Sequence, residues 1–534
     1  MAKLFYPDFF NDVFGPIMQP GSSGSFAGTS RVGRVARHCL KSAPKRVKIL
    51  FNPGDHHMKS LGNMMDDRAY LGGLQDFATD DIRLFDAHRL AREAGISYEF
   101  GELEQDNPYP GSVTFLLEGE GGDVAELVAR SIGGGMIATY RIHGFPIHWQ
   151  ADTYAALVWK APKAALESLE TWAGENLSDF VEVSYAEADG FAALYEFSAE
   201  ESAKRLAGRV PEGAEVRLLP ALLPVVTLRE RRPQLFKTVE EWRQVAQARN
   251  ISFVQAAIEY EKDFSGWTDA QIWAYFEKID GILNNQIHSL ERVGYDKAQD
   301  TPNLPIYGRA WDRYLKTGRA LEDPITQHII VHAMSTNAKL PGTKIVPGPM
   351  GTGSGYLYSA IDAVREARGF SHEKVIESLI VAAALGAIAF THAQASGNSG
   401  CVGESGVCCA MASGAIAWLA GGDGVAVERA ASMALQANLG IPCDPIPGGK
   451  EFPCITRTIR AAVTAPLYAD LALAGIDPLI PYHEVLFAIE ENRKRSTNAL
   501  LHDGINLAPC AMRCQECFQS ELMADKLKYE AQQS

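Results

Sequence analysis

The stretch H-A-Q-A-S-G-N-S-G-C-V-G-E-S-G-V-C-C-A-M-A-S, residues 392 to 413, places a cysteine among glycines and small polar residues rather than among core hydrophobic residues. A second stretch, N-L-G-I-P-C-D-P-I-P-G-G-K-E-F-P-C-I-T-R at 438 to 457, does so twice more. Cys401, Cys443 and Cys454 each follow a Gly or Pro, so we expect each thiol at the edge of a secondary-structure element. Cysteines placed at turns are suited to bind a ligand.

Thiolates are soft ligands for iron-sulfur clusters and zinc, and an electron-transfer cluster takes four of them. Three would leave one metal position open, which a Lewis-acid catalyst requires. The alternative is that the three are small buried hydrophobic residues, a common fate of free cysteine. Cys401 and Cys443 are too far apart for a local C-x2-C loop, so spacing alone leaves both interpretations open. Cys408 and Cys409, in the apolar run V-C-C-A-M-A, are predicted to be packing residues.

Three segments, G-C-V-G-E-S-G-V-C-C-A-M-A, N-L-G-I-P-C-D-P and F-P-C-I-T-R, resemble in order the cysteine motifs of the bacterial iron-sulfur L-serine dehydratases. That resemblance implies a [4Fe-4S] cluster on Cys401, Cys443 and Cys454. It also implies a chain that fuses the small (beta) and large (alpha) parts of such an enzyme. The motifs are specific for the cluster and the fold, and much less specific for the substrate.

Composition favours a soluble cytoplasmic protein. The 534 residues include 50 basic and 65 acidic side chains and carry a net charge of -15, without the basic excess of a nucleic-acid-binding protein. The apolar run at 379 to 390 is shorter than the ~20 residues of a membrane span. The start M-A-K-L-F-Y-P-D-F-F does not resemble a secretory signal, and nine cysteines are an odd number for a disulfide framework. We expect a homodimer that binds a small amino acid, and neither nucleic acid nor membrane.

Residues 1 to 145 are predicted to form an α/β domain. Strand-like runs at 46 to 51 and 112 to 119 alternate with an amphipathic stretch at 81 to 94. Before them, G-P-I-M-Q-P-G-S-S-G-S-F-A-G-T-S-R-V-G at 15 to 33 is rich in Gly and Ser. Such a loop offers backbone N-H groups and hydroxyls to an anion, here a carboxylate, although composition is equally consistent with a surface loop.

This loop is similar to the serine- and histidine-rich motif of the same family, G-P-x-M-I-G-P-S-S-S-H-T-A-G. The alignment implies substrate-binding roles for Ser22 and Ser23 and puts Ser25, a catalytic candidate, in the position of the family histidine. Met64 and Tyr109 replace the histidines of two further motifs, G-H-G-T-D and H-P-N-T. Either the substrate has changed or the enzyme has decayed, and the intact cysteine motifs favour a changed substrate.

His56 and His57 are candidate catalytic residues because they follow Asp55 directly. A histidine beside a carboxylate is a common general base. The alternative is a pair of solvated loop histidines.

The remaining chain is predicted to contain three parts. Residues 146 to 208 alternate strand-like and helix-like runs and look like the ACT-type module, a small α+β regulatory domain, of some serine dehydratases. Residues 209 to 235, rich in proline, are predicted to be a linker. Residues 236 to 534 are predicted to form the all-α catalytic domain, with helices at 238 to 249, 268 to 283 and 372 to 390. The whole is thus a multidomain protein.

The loop N-A-K-L-P-G-T-K-I-V-P-G-P-M-G-T-G-S-G-Y at 337 to 356 is similar to a further family motif, N-A-S-M-G-x-I-V-x-A-P-T-A-G-S-x-G. The resemblance places this loop at the active site. The residues we expect to contact the substrate from this loop and from the cysteine motifs are Asn337, Thr352, Gly353, Ser354, Ser396, Gly397, Asn398 and Asn438. Ala437 stands where the family usually has histidine.

The C-terminal segment C-A-M-R-C-Q-E-C contains Cys510, Cys514 and Cys517 in C-x3-C-x2-C spacing. The spacing matches the cluster loop of radical enzymes that cleave S-adenosylmethionine, but that loop normally lies early in a barrel. A cysteine from this segment facing the open iron, a separate metal site and a coincidental thiol cluster all remain open.

The function implied by the resemblance is α,β-elimination of water from L-serine or a related β-hydroxy amino acid, without pyridoxal phosphate, followed by deamination to a 2-oxo acid and ammonia. The missing histidines raise the alternative of another substrate, either L-cysteine or a larger hydroxylated amino acid. A non-catalytic cluster sensor and a structural zinc protein are further alternatives.

Overall fold

The computed structural model describes residues 7 to 495, except 54–57, 59–60, 63, 231, 300–304, 350 and 443–453. The described chain divides into two compact units. The α/β unit comprises residues 21 to 233 and 264 to 266. The helical unit comprises the described residues up to 20, from 234 to 263, and from 267 onward. The predicted α/β region and helical region are therefore confirmed.

The first sheet of the α/β unit has the strand order β2-β1-β3-β4-β5. Its strands are β1 (Pro44–Phe51), β2 (Ser97–Glu102), β3 (Val113–Gly119), β4 (Val124–Gly133) and β5 (Met136–Ile142). β1 pairs with β2 in parallel, and the other pairs are antiparallel. In β1, Val47 and Ile49 are buried while Lys48 between them is exposed, which is the alternation of a strand with one face on the core. Three helices accompany this sheet: α1 (Thr29–Cys39), α2 (Asp66–Leu74) and α3 (Ala87–Glu93).

Two glycines allow α1 and α2 to pack backbone against backbone. A Cβ at Gly33 would lie 2.4 Å from the Tyr70 carbonyl oxygen, and one at Gly73 would lie 2.0 Å from the Ser30 carbonyl oxygen. Neither distance is possible for a real Cβ, so this helix contact requires glycine on both sides.

The second sheet of the α/β unit has the strand order β7-β8-β6-β9, with every pair antiparallel. Its elements follow the chain as β6 (Tyr154–Trp159), α4 (Lys163–Asn176), β7 (Phe180–Ala188), β8 (Gly190–Phe197), α5 (Glu200–Ala207) and β9 (Glu215–Leu219). One face, which includes Leu157 and Leu194, joins the core of the first sheet, while the other, which includes Val158 and Tyr195, packs with α4 and α5.

Strand β9 lies inside the segment predicted to be a linker, residues 209 to 235. It pairs with β6 along Glu215 to Leu219 and buries Arg217 and Leu219. The flanking prolines are typical of a linker, whereas this short run is held by a partner strand about sixty residues earlier in the sequence. The second sheet therefore extends beyond residue 208, the predicted end of the module, and includes β9.

The described part of the helical unit contains twelve α-helices. They are α6 (Val239–Arg249), α7 (Phe253–Ser265), α8 (Asp269–Ile287), α9 (Ser289–Val293), α10 (Gly308–Leu315), α11 (Pro324–Asn337), α12 (Gly353–Arg368), α13 (His372–His392), α14 (Val407–Leu419), α15 (Gly424–Gln436), α16 (Cys454–Leu473) and α17 (Tyr482–Arg495). Thr238 caps α6 by accepting from the Glu241 N-H, and Thr268 with Gln271 forms a capping box on α8. The predicted helices at 238 to 249, 268 to 283 and 372 to 390 are thus present.

Helix α13 is buried over most of its length, from Val375 to Ala389, as its apolar sequence predicts. It and the helical stretch Val402–Leu419 are long and apolar enough to cross a membrane by length and composition alone. However, 78% and 89% of these two windows are buried inside the fold. Both therefore pack as core helices of the helical unit.

The N-terminal segment packs in the helical unit, whereas the sequence-based boundaries placed residues 1 to 145 in one α/β domain. Phe9 stacks on Tyr260 with ring centroids 5.3 Å apart, and its N-H donates to the Glu261 carboxylate at 2.8 Å. Met18 and Ile345 exchange two backbone hydrogen bonds. The boundaries differ because aromatic residues of this segment are buried in the helical unit. Hydrophobic periodicity along the sequence does not reveal such long-range contacts.

Candidate functional site

Cys401 lies at the turn that the sequence predicts. Gly400 before it has a φ of +84°, a left-handed conformation that glycine adopts without strain. The chain then forms one π-helical turn, Val402–Gly406, which continues directly into α14. Cys401 is buried, and its Sγ lies 3.1 Å from the Ser405 Oγ. The Ser405 hydroxyl also donates to the Cys401 carbonyl at 3.0 Å.

The surroundings of the Cys401 thiol have opposing effects on its ionisation. Burial raises the pKa of Cys401, and the charge of Glu404 acts in the same direction. The hydrogen bond between the thiol and the Ser405 hydroxyl and the nearby Arg457 guanidinium lower it, but not enough to offset burial. The free thiol is therefore protonated, while Arg457 and Ser405 are placed to stabilise a thiolate on binding a metal.

Arg457 connects the two described cysteine turns. Cys454 is the first residue of α16, and Arg457 is three residues further along this helix. The Arg457 Nη1 donates to the Pro442 carbonyl at 2.8 Å, and the Val402 N-H donates to the Ile441 carbonyl at 3.2 Å. Cys443 lies outside the described residues. Of the two residues before it, Ile441 is hydrogen-bonded to the Cys401 turn and Pro442 to the first turn of the helix that begins at Cys454.

This donor set fits an iron-sulfur cluster. Cys401 and Cys454 are both at starts of helical segments, where the helix dipole favours an anionic sulfur, and a cation lies between their turns. The chain carries its third cysteine, Cys443, directly beyond the residues that contact these turns. Three thiolates with a neighbouring guanidinium are suited to hold a cluster of net negative charge.

Cys408 and Cys409 have structural roles, as the sequence predicts. The Cys408 Sγ donates to the Gly353 carbonyl at 3.1 Å, and burial raises the pKa of this thiol well above its usual range. The Cys409 Sγ lies 3.7 Å from the Thr464 Oγ1. Both side chains are buried in α14.

The loop before α12 is brought against the cysteine helix by that Cys408 contact. Gly353 is the first residue of α12. The Ser354 hydroxyl donates to the Pro347 carbonyl at 2.8 Å, so this hydrogen bond stabilises the loop. Thr352 is buried beside them. Asn337, the last residue of α11, donates from Nδ2 to the Tyr356 hydroxyl at 3.3 Å. The structure therefore gathers the predicted residues of this loop next to α14.

Residues 396 to 399 pack on the π-helical turn after Cys401. A Cβ at Gly397 would lie 3.3 Å from Oε1 of Glu404, and one at Gly403 would lie 2.5 Å from the Ser396 carbonyl oxygen. The side chain of Asn398 is outside the described part of the chain. This short segment, Gly397–Ser399, is a single 3-10 turn that covers the Cys401 turn.

Asn438 is buried, and it also adjoins α14. Its Nδ2 donates to the Ala434 carbonyl at 2.6 Å, and its Oδ1 accepts a hydrogen bond from Arg460. A Cβ at Gly406 would lie 3.0 Å from the Cβ of Asn438. Asn438 thus links α15 and α16 next to the cysteine turn. Arg457 and Arg460 were not among the predicted site residues, although Arg457 stands inside the quoted F-P-C-I-T-R motif.

Ser22, Ser23 and Ser25 lie in the α/β unit. The Ser22 hydroxyl accepts from the Ser25 N-H at 3.2 Å and caps the π-helical turn Ser23–Gly28. Ser131, in the stretch S-I-G-G-G at 131 to 135, is adjacent, since a Cβ at Gly28 would lie 2.2 Å from the Ser131 Oγ. These hydroxyls are therefore held on a short helical turn rather than on a surface loop. Asp55, His56 and His57 lie outside the described residues.

A histidine-carboxylate pair that the sequence did not single out lies in the same unit. His88 Nε2 is 2.7 Å from Oδ2 of Asp67, and its Nδ1 is 2.8 Å from the Tyr98 hydroxyl. Burial raises the pKa of Asp67, but the hydrogen bond and charge of His88 outweigh it, so the pKa is lowered. Asp67 and His88 are 21 residues apart, a separation with no recognisable spacing. Both ring nitrogens are engaged, so His88 has no nitrogen available to accept a substrate proton in this arrangement.

Comparison with known proteins agrees with this arrangement. A family model described as serine dehydratase alpha chain matches residues 238–502. The chain is 28% identical over 273 residues to the probable L-serine dehydratase alpha chain of Bacillus subtilis (strain 168), which covers 51% of this chain and 90% of the relative. It is 30% identical over 178 residues to the probable alpha chain of Latilactobacillus sakei, covering 33% of this chain and 85% of the relative.

The chain is also similar to L-serine dehydratase beta chains. The chain is 30% identical over 154 residues to the L-serine dehydratase beta chain of Peptoniphilus asaccharolyticus, which covers 28% of this chain and 68% of the relative. The resemblance drawn from the cysteine motifs is thereby confirmed. The chain belongs to the L-serine dehydratase family and carries an alpha-chain part and a beta-chain part in one polypeptide.

Proposed function

We propose that this protein is a lyase that eliminates water from L-serine or a related β-hydroxy amino acid and releases a 2-oxo acid and ammonia. The observation that carries the proposal is the convergence of the Cys401 turn, the Cys454 turn and residues 441 and 442 around Arg457. The relatives named L-serine dehydratase support the reaction class.

Cys401, Cys443 and Cys454 would hold a [4Fe-4S] cluster. With three protein ligands, the group would supply a Lewis-acidic iron that assists departure of the β-hydroxyl. Loss of the Cα proton and of the hydroxyl leaves an enamine, which tautomerises to an imine and takes up water to give the 2-oxo acid and ammonia.

The residues of the chain would position the substrate and its charge. Arg457 supplies a cation beside the cysteine turns, and Thr352 and Ser354 lie on the loop that Cys408 holds against α14. Ser22, Ser23 and Ser25 offer a capped helical turn in the α/β unit, which suits a carboxylate. His56 and His57 remain the proposed general-base candidates, because His88 has both nitrogens engaged.

A second candidate function is the same elimination on another substrate, such as L-cysteine or a larger hydroxylated amino acid. One observation favours it: Tyr109, in a family histidine position, stacks on Tyr140 with ring centroids 4.4 Å apart. An aromatic stack offers apolar contact where the family has a titratable ring. The pocket is therefore proposed to be rebuilt around a different side chain or leaving group.

We also propose that the β6 to β9 module is ACT-like. Its β-α-β-β-α-β order and its sheet order β7-β8-β6-β9 support this. Effector binding by this module would appear as a change in activity on adding an amino acid that is not turned over.

The proposed function is tested with protein reconstituted anaerobically with iron and sulfide. Wild type should bind iron and sulfide in equal amounts and show cluster absorption, whereas Cys401→Ser and Cys454→Ser should lose most of both. Cys408→Ala is the matched control, since this buried thiol of the same segment is assigned to packing and should retain the cluster.

The same samples are then assayed with serine, threonine, cysteine and bulkier β-substituted amino acids. Activity on serine supports the first proposal, and activity on another acid without serine turnover supports the second. A cluster without any turnover would indicate a sensor, and zinc in place of iron and sulfide would overturn the cluster assignment.

A further inference from the structure

A second group of metal-binding side chains lies in the helical unit, separate from the cysteine turns. His288 follows the end of α8, His332 lies in α11 and Asp362 lies in α12. One ligand atom from each lies within 4.8 Å of the other two. The His332 Nδ1 is 3.9 Å and the His288 Nε2 is 4.0 Å from Oδ2 of Asp362. Two helices and the residue that follows a third thus direct one donor atom each toward a common point.

Two of these three side chains have buried polar atoms without a hydrogen-bond partner among the described residues. His332 is 1% exposed, and neither ring nitrogen is in good hydrogen-bonding geometry with a described residue, although the Ser359 backbone is close enough to favour the protonated ring weakly. Asp362 is fully buried, and its Oδ2 likewise has no hydrogen-bond partner among the described residues. Leaving a buried polar atom without a partner is unfavourable, so a group of such atoms around one point is suited to bind a ligand.

The distances exclude direct hydrogen bonds and suit an ion between the atoms. At 3.9 and 4.0 Å, the two nitrogen-oxygen separations are too long for hydrogen bonds. Two ligands that are each about 2.1 Å from a metal ion can be at most about 4.2 Å apart. The group as a whole spans up to 4.8 Å, so the side chains must rotate inward before all three atoms can bond one ion.

The protonation state of His332 agrees with ligation. Burial lowers the pKa of His332 to about 3, and the neighbouring His328 and His288 act in the same direction. The ring is therefore neutral near pH 7, and its contact with Asp362 is not an ion pair. A neutral imidazole is the form that binds a metal.

The partners around the group resemble those of known metal sites. The His288 Nδ1 lies 3.3 Å from a Glu291 carboxylate oxygen, which orients the ring and leaves Nε2 directed toward Asp362. Arg365 donates to Oδ1 of Asp362 at 2.8 Å and leaves Oδ2 directed inward. The His288 side chain is 25% exposed and provides a route for an ion from solvent.

We propose that His288, His332 and Asp362 bind one divalent transition-metal ion, with Zn²⁺ as the best match to two imidazoles and one carboxylate. Three protein ligands leave a fourth position for water. The ion ties α11 to α12, the helices that carry Asn337 and Gly353 at their ends. It thereby stabilises the frame of the loop between them, and the proposal does not depend on the substrate or on the iron-sulfur cluster.

The test measures Zn²⁺ binding by the full-length protein after anaerobic loading of the cysteines with iron and sulfide. Equilibrium dialysis against Zn²⁺ with metal analysis compares wild type with His288→Asn, a partly exposed position that tolerates substitution. His328→Asn is the matched control, because its ring lies 4.2 Å from that of His332 but outside the group. Iron is measured in every sample, so zinc bound to cysteines is recognised as missing iron.

We expect wild type and His328→Asn to bind about one Zn²⁺ more than His288→Asn, whose affinity should fall at least ~10-fold. Zn²⁺ at about a hundred times the wild-type Kd should raise the Tm of wild type and of His328→Asn by about 5 °C, and that of His288→Asn by no more than about half as much. Equal binding by wild type and His288→Asn, or no binding by wild type, would overturn the proposal. Asp362→Asn, if it folds, should behave like His288→Asn.

Discussion

At the residue scale, burial of Asp66 makes the stability of the α/β unit depend on pH between about 4 and 6. Burial raises the pKa of Asp66 from 3.8 to about 6, against a hydrogen bond from the Gly62 N-H at 2.8 Å. Between these values the folded protein holds a proton that the unfolded chain has released. Stability contributed by this group is therefore present below pH 4 and lost as the pH rises through 6.

Asp66→Asn should remove this penalty while keeping an oxygen for the Gly62 N-H. We expect the variant to be more stable than wild type by about 1–3 kcal/mol at pH 7 and equal to it at pH 4. Urea unfolding followed by circular dichroism between pH 4 and pH 7.5 measures the difference. Parallel curves for the two proteins across this range would show that Asp66 does not titrate there.

Asp76 serves as a control because its pKa is shifted in the direction opposite to that of Asp66. A hydrogen bond from His38, opposed by burial and aided by Arg34, lowers the pKa of Asp76 to about 2. Its stability contribution is present above pH 4 and lost as the pH falls toward 2. Asp76→Asn should therefore lower stability slightly and leave the slope between pH 4 and pH 7.5 as in wild type.

At the scale of elements, the contact between α1 and α2 reverses the usual effect of a glycine substitution. Alanine in a helix interior is normally about 1 kcal/mol better than glycine. At Gly73, however, a Cβ would lie 2.0 Å from the Ser30 carbonyl oxygen and 2.8 Å from the Arg34 nitrogen, both backbone atoms. We expect Gly73→Ala to destabilise the α/β unit by about 1–3 kcal/mol.

Gly174 in α4 of the same unit is the matched position. A Cβ there meets no described atom within 4 Å, and the residue is exposed. Gly174→Ala should stabilise the unit by about 0.5–1 kcal/mol. Thermal unfolding of both variants against wild type tests the pair, and a Tm change of the same sign in both would contradict the packing argument.

The elements differ in how far sequence could predict them. Helix α8 was predictable because Thr268 and Gln271 form its capping box and its hydrophobic periodicity is local. The Cys401 turn was predictable from a glycine and from a recognised motif. Strand β9 was not, since its stability comes from pairing with β6 rather than from its own five residues. The group of His288, His332 and Asp362 was also missed, because its members stand 44 and 30 residues apart in the sequence.

At the scale of the whole molecule, chain order and spatial grouping differ at the N-terminus. Residues 7 to 20 precede the α/β unit in sequence, but they belong to the helical unit. Phe10 shows why: its ring centroid is 4.4 Å from that of Tyr275, 5.1 Å from that of Phe276 and 5.4 Å from that of Trp267. The first segment of the chain is therefore part of the core that supports the cysteine-bearing helices.

Phe10→Ala in the full-length chain should weaken the helical unit and spare the α/β unit that follows it directly in sequence. Removing a fully buried phenylalanine costs about 3–5 kcal/mol, and its ring contacts lie at 267 to 276. Hydrogen exchange read by mass spectrometry should quicken in α8 and remain as in wild type in α1 and β1. Leu116→Ala, at an exposed position of β3, is the control and should change neither region. Faster exchange confined to α1 and β1 in Phe10→Ala would instead place the segment in the α/β unit.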